Sequence, residues 1–200
     1  MSKISLTINK QKVITEEGTS VLEAACSAGI DIPTLCYHDE LPPRSTCRLC
    51  IVEINDGVKK RLVTSCVYQV KEGLEVDTES EDVVWFRKML LELMLASCPG
   101  ADVIKEYARR YGVTKTSFDI EPDFCLLCGK CVDYCHHVKG KNAIGFIGRG
   151  LSRHVMFFPE IAAEECPKCG ECFPLCPTGF LPYNYAQVKL PKFADDRIKP

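Results

Sequence analysis

Two cysteine runs of identical spacing limit what this chain can fold into. Residues 125–135 read CLLCGKCVDYC and residues 166–177 read CPKCGECFPLCP. Each is Cys-x2-Cys-x2-Cys-x3-Cys, and Pro177 follows the second. Three thiolates on one tight loop cover three corners of a [4Fe–4S] cube. The fourth cysteine cannot fold back onto the same cube and reaches the other one. The expected ligand sets are therefore Cys125, Cys128, Cys131 and Cys176 for one cube, and Cys166, Cys169, Cys172 and Cys135 for the other. Gly129 and Gly170 sit inside the loops, where the chain must pass close to a cluster at little steric cost. Two zinc sites are the competing reading. Zinc knuckles take four ligands from two CxxC pairs, so two identical four-cysteine runs suit cubes better.

Fourteen of the 200 residues are cysteine, which in a secreted chain would suggest disulfides. The opening MSKISLTINKQKV has no apolar core, so no secretory leader is expected, and a reducing, cytoplasmic setting follows. No apolar run approaches the length of a membrane span. A formal net charge of −2, with no basic stretch, gives no footprint for nucleic acid.

The first third of the chain has a different pattern. KISLTI at 3–8 alternates, residues 12–15 continue as a second strand after a turn at NKQ, and Thr19 or Ser20 can cap a helix over VLEAACSAG that ends at Gly29. Strand, turn, strand, helix is how a β-grasp ferredoxin opens. Four cysteines then arrive: Cys36, Cys47, Cys50 and Cys66, spaced x10, x2 and x15. On one extended loop and its neighbouring strand they can hold a [2Fe–2S] cluster, in a variant with a longer first loop than the plant-type spacing. IVEI at 51–54, RLVT at 61–64 and LEVDT at 74–78 supply further strands, with a hairpin turn at Asn55-Asp56-Gly57.

At this point the residues carry a resemblance. GIDIPTLCYHDELPPRSTCRLCIVEI, LVTSCVYQVKEGLEVDTES, CLLCGKCVDYCHHVKGKNAIGFIGRG and CGECFPLCPTGFL together resemble a group of redox subunits, over roughly residues 1–181. The group comprises the large iron–sulfur subunit of respiratory complex I, the diaphorase iron–sulfur subunit of NAD-linked hydrogenases, iron-only hydrogenases and NAD-linked formate dehydrogenases. The chain departs from that pattern in one respect. Relatives such as complex I place a His and three Cys in the helical region after the first cluster, for an additional [4Fe–4S] cluster. Here only Cys98 is present, and no His lies between His38 and His136. That cluster is therefore expected to be absent, with Cys98 its remnant.

EDVVWFRKMLLELMLAS at 81–97 predicts a helix capped by Ser80 and apolar around most of its circumference, hence buried. DVIKEYARRY at 102–111 predicts a second, stopped by Gly112. Cys26 is expected to be a small buried hydrophobe of the first helix. His136 and His137 follow Cys135 and are placed to hydrogen-bond cluster sulfur, with surface histidines the plainer alternative; His154 reads as structural. KNAIGFIGRG at 141–150 suggests strands and a glycine turn, and its glycine spacing is not that of a dinucleotide fingerprint. The tail 182–200 carries Tyr183, Tyr185 and Phe193, and its prolines argue against a helix; it reads as disorder or as an arm laid on a partner.

The fold class expected is α+β: a β-grasp [2Fe–2S] domain at 1–78, a helical linker at 79–118, a bacterial-type 2[4Fe–4S] ferredoxin domain at 119–181 and a tail at 182–200. One [2Fe–2S] and two [4Fe–4S] clusters make a wire. No Walker loop, Rossmann fingerprint, nucleophile elbow or HExxH helix is present to supply a substrate site. The resemblance implies an electron-transfer subunit of a soluble NAD(P)-linked oxidoreductase complex, of hydrogenase, formate dehydrogenase or transhydrogenase type, with electron bifurcation open. Its partners would be a flavin-bearing NAD(P)-binding subunit and a further redox subunit or ferredoxin, in a hetero-oligomer. A free-standing polyferredoxin and a fumarate reductase-type iron–sulfur subunit are the alternatives.

Overall fold

The computed structural model describes residues 2–120 and 123–189. They form two compact units, Met1–Cys128 and Gly129–Pro200.

The first unit is built on a five-stranded sheet. Strand β1 (Lys3–Ile8) turns back into β2 (Gln11–Glu16) through Asn9 and Lys10, both at positive φ, as a two-residue hairpin turn requires. Ser20 caps helix α1 (Val21–Ser27) with a complete capping box: its hydroxyl accepts from Glu23 N–H, and Glu23 accepts from Ser20 N–H at 2.7 Å. Strands β3 (Ile51–Asn55) and β4 (Lys60–Thr64) form the hairpin signalled by Asn55-Asp56-Gly57, and β5 (Glu75–Asp77) completes the sheet in the order β2-β1-β5-β3-β4. Only β1 and β5 run parallel. The inward residues Leu6, Ile8, Val52, Ile54 and Val76 close on Val21, Leu22, Ala24 and Ala25 of α1. Each such Val, Leu or Ile contributes about 1.5–3 kcal/mol by leaving water.

Helices α2 (Glu81–Ser97) and α3 (Asp102–Arg110) belong to the same unit, at the boundaries the sequence predicts to within a residue. Leu91, Met94, Ile104 and Ala108 form a second core with Leu35, Cys36, Cys47 and Leu49, so the long cysteine loop is packed on these helices. Two expectations need correction. α2 is not apolar-buried all round: Trp85, Phe86, Met89 and Leu93 are exposed, and the buried line is Val83, Arg87, Leu91 and Met94. Cys26 is exposed, because the buried arc of α1 runs through residues 21, 22, 24 and 25 and ends short of it.

In the second unit Gly129, at φ 83°, opens the short helix α4 (Lys130–Asp133), which widens into a π turn over Tyr134–Val138. Strands β6 (Ile144–Ile147) and β7 (His154–Phe157) pair antiparallel, and α5 (Pro159–Glu165) leads into the second cysteine run. The chain then forms helix α6 (Phe180–Lys189), so residues 182–189 are helical, contrary to the expectation for that part of the tail. Pro182 is its third residue, where the backbone N–H has no intrahelical acceptor to lose. Tyr185 is buried and packs on Phe157 and Phe173 with ring centroids 5.2 and 5.1 Å away, whereas Tyr183 is exposed. Phe193 lies outside the described residues. No described helix is long and apolar enough to cross a membrane.

Candidate metal centres

In the first unit the structure gathers Cys36, Cys47, Cys50 and Cys66. All are buried. Cys47 N–H donates to Cys36 Sγ at 3.5 Å, and the Cys47 thiol hydrogen-bonds to the same sulfur. That contact draws the Cys36 thiol down to about 6 against the desolvation of burial, and pushes Cys47 up. Cys50 is held down at about 7 first by the Cys66 side chain, and Cys66 is pushed up by the same bond and by burial. The field of Cys36 reaches Cys47, Cys50 and Cys66, so the four sulfurs form one electrostatic group. Thiols pressed together in this way favour the thiolate form once a cation sits among them.

Local geometry explains how one loop turns three of these sulfurs inward. Ser45 and Arg48 take left-handed φ values of 54° and 55°, uncommon for residues with a side chain. Cys50 is fixed from β4's end: Ser65 is fully buried, and its N–H and hydroxyl both donate to Cys50 O, at 3.1 and 2.8 Å. On the opposite side Arg87 donates to Leu49 O at 3.1 Å and Ile51 O at 2.7 Å. Neither Ser65 nor Arg87 belongs to a sequence motif. Arg87 had a legible signal, a charge on the 83, 87, 91, 94 line of an otherwise apolar helix face.

In the second unit Cys135, Cys166, Cys169 and Cys172 line one cavity, along with Tyr134, Lys139, Lys141, Ala143, Glu165 and Gly170. Burial pushes the Cys172 thiol up to about 12, with the charges of Cys135, Cys166 and Cys169 adding to the effect. Ala143 N–H donates to Cys135 Sγ at 3.2 Å, a bond of the kind that tunes a metal-bound sulfur. Gly170 is at φ 66° beside this cavity, the left-handed conformation that glycine adopts without a Cβ penalty. The rim is charged: Lys139 pairs with Glu171, and Lys141 with Glu165 at 2.9 Å. Neither histidine reaches the Cys135 sulfur. His136 Nδ1 lies 2.6 Å from Asn142 Oδ1, and both His136 and His137 are exposed. His154 is also exposed, with Nδ1 2.9 Å from Ser152 O.

The remaining set is divided in sequence between the units: Cys125 and Cys128 end the first, and Cys131 and Cys176 belong to the second. Cys125 Sγ accepts from Leu127 N–H at 3.4 Å, and Phe124 and Leu127 are held at φ 57° and 50°. Left-handed residues with side chains thus recur in the cysteine loops at 45–50 and 124–128, where the surrounding chain over-determines them. Cys98 is buried in the second core at the end of α2, and Cys26 lines no four-cysteine group. Among the described residues no three His, Cys, Asp or Glu side chains close around a single metal ion.

Comparison with known proteins places these features. Residues 1–81 match the family of the 2Fe-2S iron-sulfur cluster binding domain. The NADPH-Fe(3+) oxidoreductase subunit alpha of Geobacter sulfurreducens is 34% identical over 203 residues, covering 89% of this chain and 24% of that protein. The NAD-reducing hydrogenase HoxS subunit gamma of Cupriavidus necator is 27% identical, covering 88% of this chain and 85% of that protein. A chain of a crystal structure of NAD+-reducing [NiFe]-hydrogenase in the H2-reduced state superposes with a TM-score of 0.69 at 31% identity, covering 78% of this chain and 75% of that one. The chain thus spans about a quarter of the Geobacter relative and most of the hydrogenase chains. It has a mixed α/β fold with a [2Fe–2S] ferredoxin domain, and it belongs to the family of iron–sulfur subunits that includes the NADH-quinone oxidoreductase G-like and NAD-reducing hydrogenase subunits.

Proposed function

We propose that this chain is the wiring of an NAD(P)-linked oxidoreductase complex: it takes electrons one at a time from one redox partner and passes them to another. The observation that carries the proposal is the presence of two separate four-thiol groups, Cys36, Cys47, Cys50 and Cys66 in one unit and Cys135, Cys166, Cys169 and Cys172 in the other. The donor chemistry fits iron–sulfur clusters, which are held by four cysteine thiolates. The first group would hold the [2Fe–2S] cluster and the second a [4Fe–4S] cube. Cys125, Cys128, Cys131 and Cys176 would hold the other cube, within a 2[4Fe–4S] ferredoxin domain at 119–181. When bound, such clusters accept and release single electrons with little rearrangement. The chain's own residues bury the thiols, fix the loops and supply backbone donors such as Ala143 N–H to sulfur.

The donor and acceptor lie outside this chain. The partners would be a flavin-bearing NAD(P)-binding subunit and a further redox subunit or ferredoxin; the relatives' names, which describe NAD(P)-linked reductases and hydrogenases, support the nicotinamide link. The setting would be cytoplasmic, and the assembly a hetero-oligomer. Anaerobic purification of the tagged chain from its native source tests this. The expected result is co-purification of a flavin-containing subunit, with cluster reduction by NADH or NADPH. A chain that purifies alone and is reduced only by dithionite would instead be a free carrier.

A further inference from the structure

Among the described residues Arg87 is the largest fully buried side chain, and it sits against the backbone of the cysteine loop. Its guanidinium is engaged on every nitrogen. Nε donates to Leu49 O at 3.1 Å and Nη2 to Ile51 O at 2.7 Å. Nη1 donates to Thr78 O at 2.9 Å, to the Tyr111 hydroxyl at 2.7 Å and to Glu79 Oε1 at 3.0 Å. Glu79, the one anion among these partners, is half exposed. The Tyr111 ring lies 5.5 Å from the guanidinium carbon and closes that side. A buried cation is costly unless its hydrogen bonds are met. Here two of them go to the carbonyls on either side of Cys50, while Ser65 holds the carbonyl of Cys50 itself. Three consecutive carbonyls, those of Leu49, Cys50 and Ile51, are thereby held.

We propose that Arg87 is a positioning residue for the [2Fe–2S] centre, holding the backbone on either side of Cys50 and placing a buried positive charge against that loop, where it would favour the reduced state of the cluster. The proposal rests on reading Cys36, Cys47, Cys50 and Cys66 as the ligands. Reduction adds one electron, hence one negative charge, to a cluster already surrounded by four thiolates. A cation in the low-dielectric interior stabilises that added charge more than one in water. The nearby carboxylate of Glu79 opposes the effect, weakened by its exposure. Arg87 also ties the loop to α2 and, through Tyr111, to the end of α3, so the geometry of the cluster loop is set by the helices that follow it.

The test compares the full chain with Arg87→Met, Arg87→Lys and Glu79→Gln by EPR-monitored redox titration. Arg87→Met should lower the midpoint potential of the [2Fe–2S] signal and alter its g values, leaving the other cluster signals in place. Arg87→Lys, which keeps the charge but not the fork, should restore most of the potential and less of the g anisotropy. Glu79→Gln removes the opposing charge at a half-exposed site and should move the potential upward. It keeps the test alive if Arg87→Met loses its iron. Unchanged potential in both Arg87→Met and Glu79→Gln, or in Glu79→Gln alone when Arg87→Met holds no cluster, would overturn the proposal and leave Arg87 a core-filling residue. A parent chain with no [2Fe–2S] signal at all would overturn the ligand assignment instead, and the proposal with it.

Discussion

Truncating Tyr185 should unsettle a cluster loop more than ten residues earlier in the chain. Tyr185 is 6% exposed, and its ring meets Phe157, itself 1% exposed, and Phe173. Phe173 follows Cys172 directly, so the aromatic group backs the loop that carries Cys166, Cys169 and Cys172. Replacing a buried aromatic ring by Ala costs about 3–5 kcal/mol, and the two lost ring pairs account for about 0.5–1.5 kcal/mol each of pairing beyond area alone. A unit of this size has about 4–11 kcal/mol in total at the usual stability of about 0.05–0.15 kcal/mol per residue. Tyr185→Ala should therefore remove a large share of it. The assay is anaerobic iron analysis with a denaturant melt, alongside Tyr183→Ala as control, since Tyr183 is 66% exposed. Loss of [4Fe–4S] signal with the [2Fe–2S] signal retained is expected for Tyr185→Ala, and no change for Tyr183→Ala. If Tyr185→Ala keeps its iron and its melting midpoint, α6 is not part of the cluster unit and the packing argument fails. For the same reason a deletion of residues 183–200 should cost iron, and is not the neutral trimming that an arm on a partner would allow.

Cys47→Ser should empty the first centre and spare the cubes, leaving about 8 Fe per chain, four for each [4Fe–4S] cluster; loss of all clusters at once would mean that the two units do not fold separately. Cys26→Ser and Cys98→Ala should each retain the parent iron content, because neither residue sits in a four-thiol group; EPR of the reduced variants checks it. Ser20→Ala should cost about 1 kcal/mol by removing the cap of α1, read as a shift in the denaturant midpoint. The Glu23 carboxylate is held below its ordinary value of 4.5, first by Ser20 N–H and then by the Ser20 side chain. Its stabilising contribution is thus complete above pH 4.5 and is lost as pH falls through the lowered folded value. The stability gap between the parent and Glu23→Gln should be open at neutral pH and close in acid; a gap independent of pH would refute the assignment.

Much of this was legible because the strongest signals are local. The Ser20 and Ser80 caps, the Asn55-Asp56-Gly57 turn and the acidic first turn of α2 each act within a few residues, and the helices and hairpins begin and end where those residues lie. The spacing of Cys36, Cys47, Cys50 and Cys66 points to one group because the spacing of ligands is itself a geometric constraint, and the four thiols are buried in one unit. Arg87 was harder to see. Its place on the buried line of α2 is periodic, but the carbonyls that satisfy it come from residues 49, 51 and 78, which only the folded sheet brings near. Cys26 departs from the buried position its helix suggests because α1 has seven residues and its buried arc is narrow. Residues 182–189 are helical despite the prolines of that stretch because Pro182 falls in the first turn of α6, where it is harmless; residues 190–200 lie outside the described ones. Of the two readings of His136 and His137, the structure agrees with surface histidines: both are exposed, Asn142 lies within reach of the His136 ring nitrogen, and the backbone of Ala143 donates to the Cys135 sulfur.

The central claim is that twelve cysteines of this chain hold three clusters. Iron and acid-labile sulfide per chain, measured on anaerobically purified protein together with EPR of the dithionite-reduced state, test it most directly. The account predicts about 10 Fe per chain, two from one [2Fe–2S] and four from each of two [4Fe–4S] clusters, with signals of both cluster types. Stoichiometric zinc without iron, or about 6 Fe from the [2Fe–2S] cluster and a single cube, would contradict it.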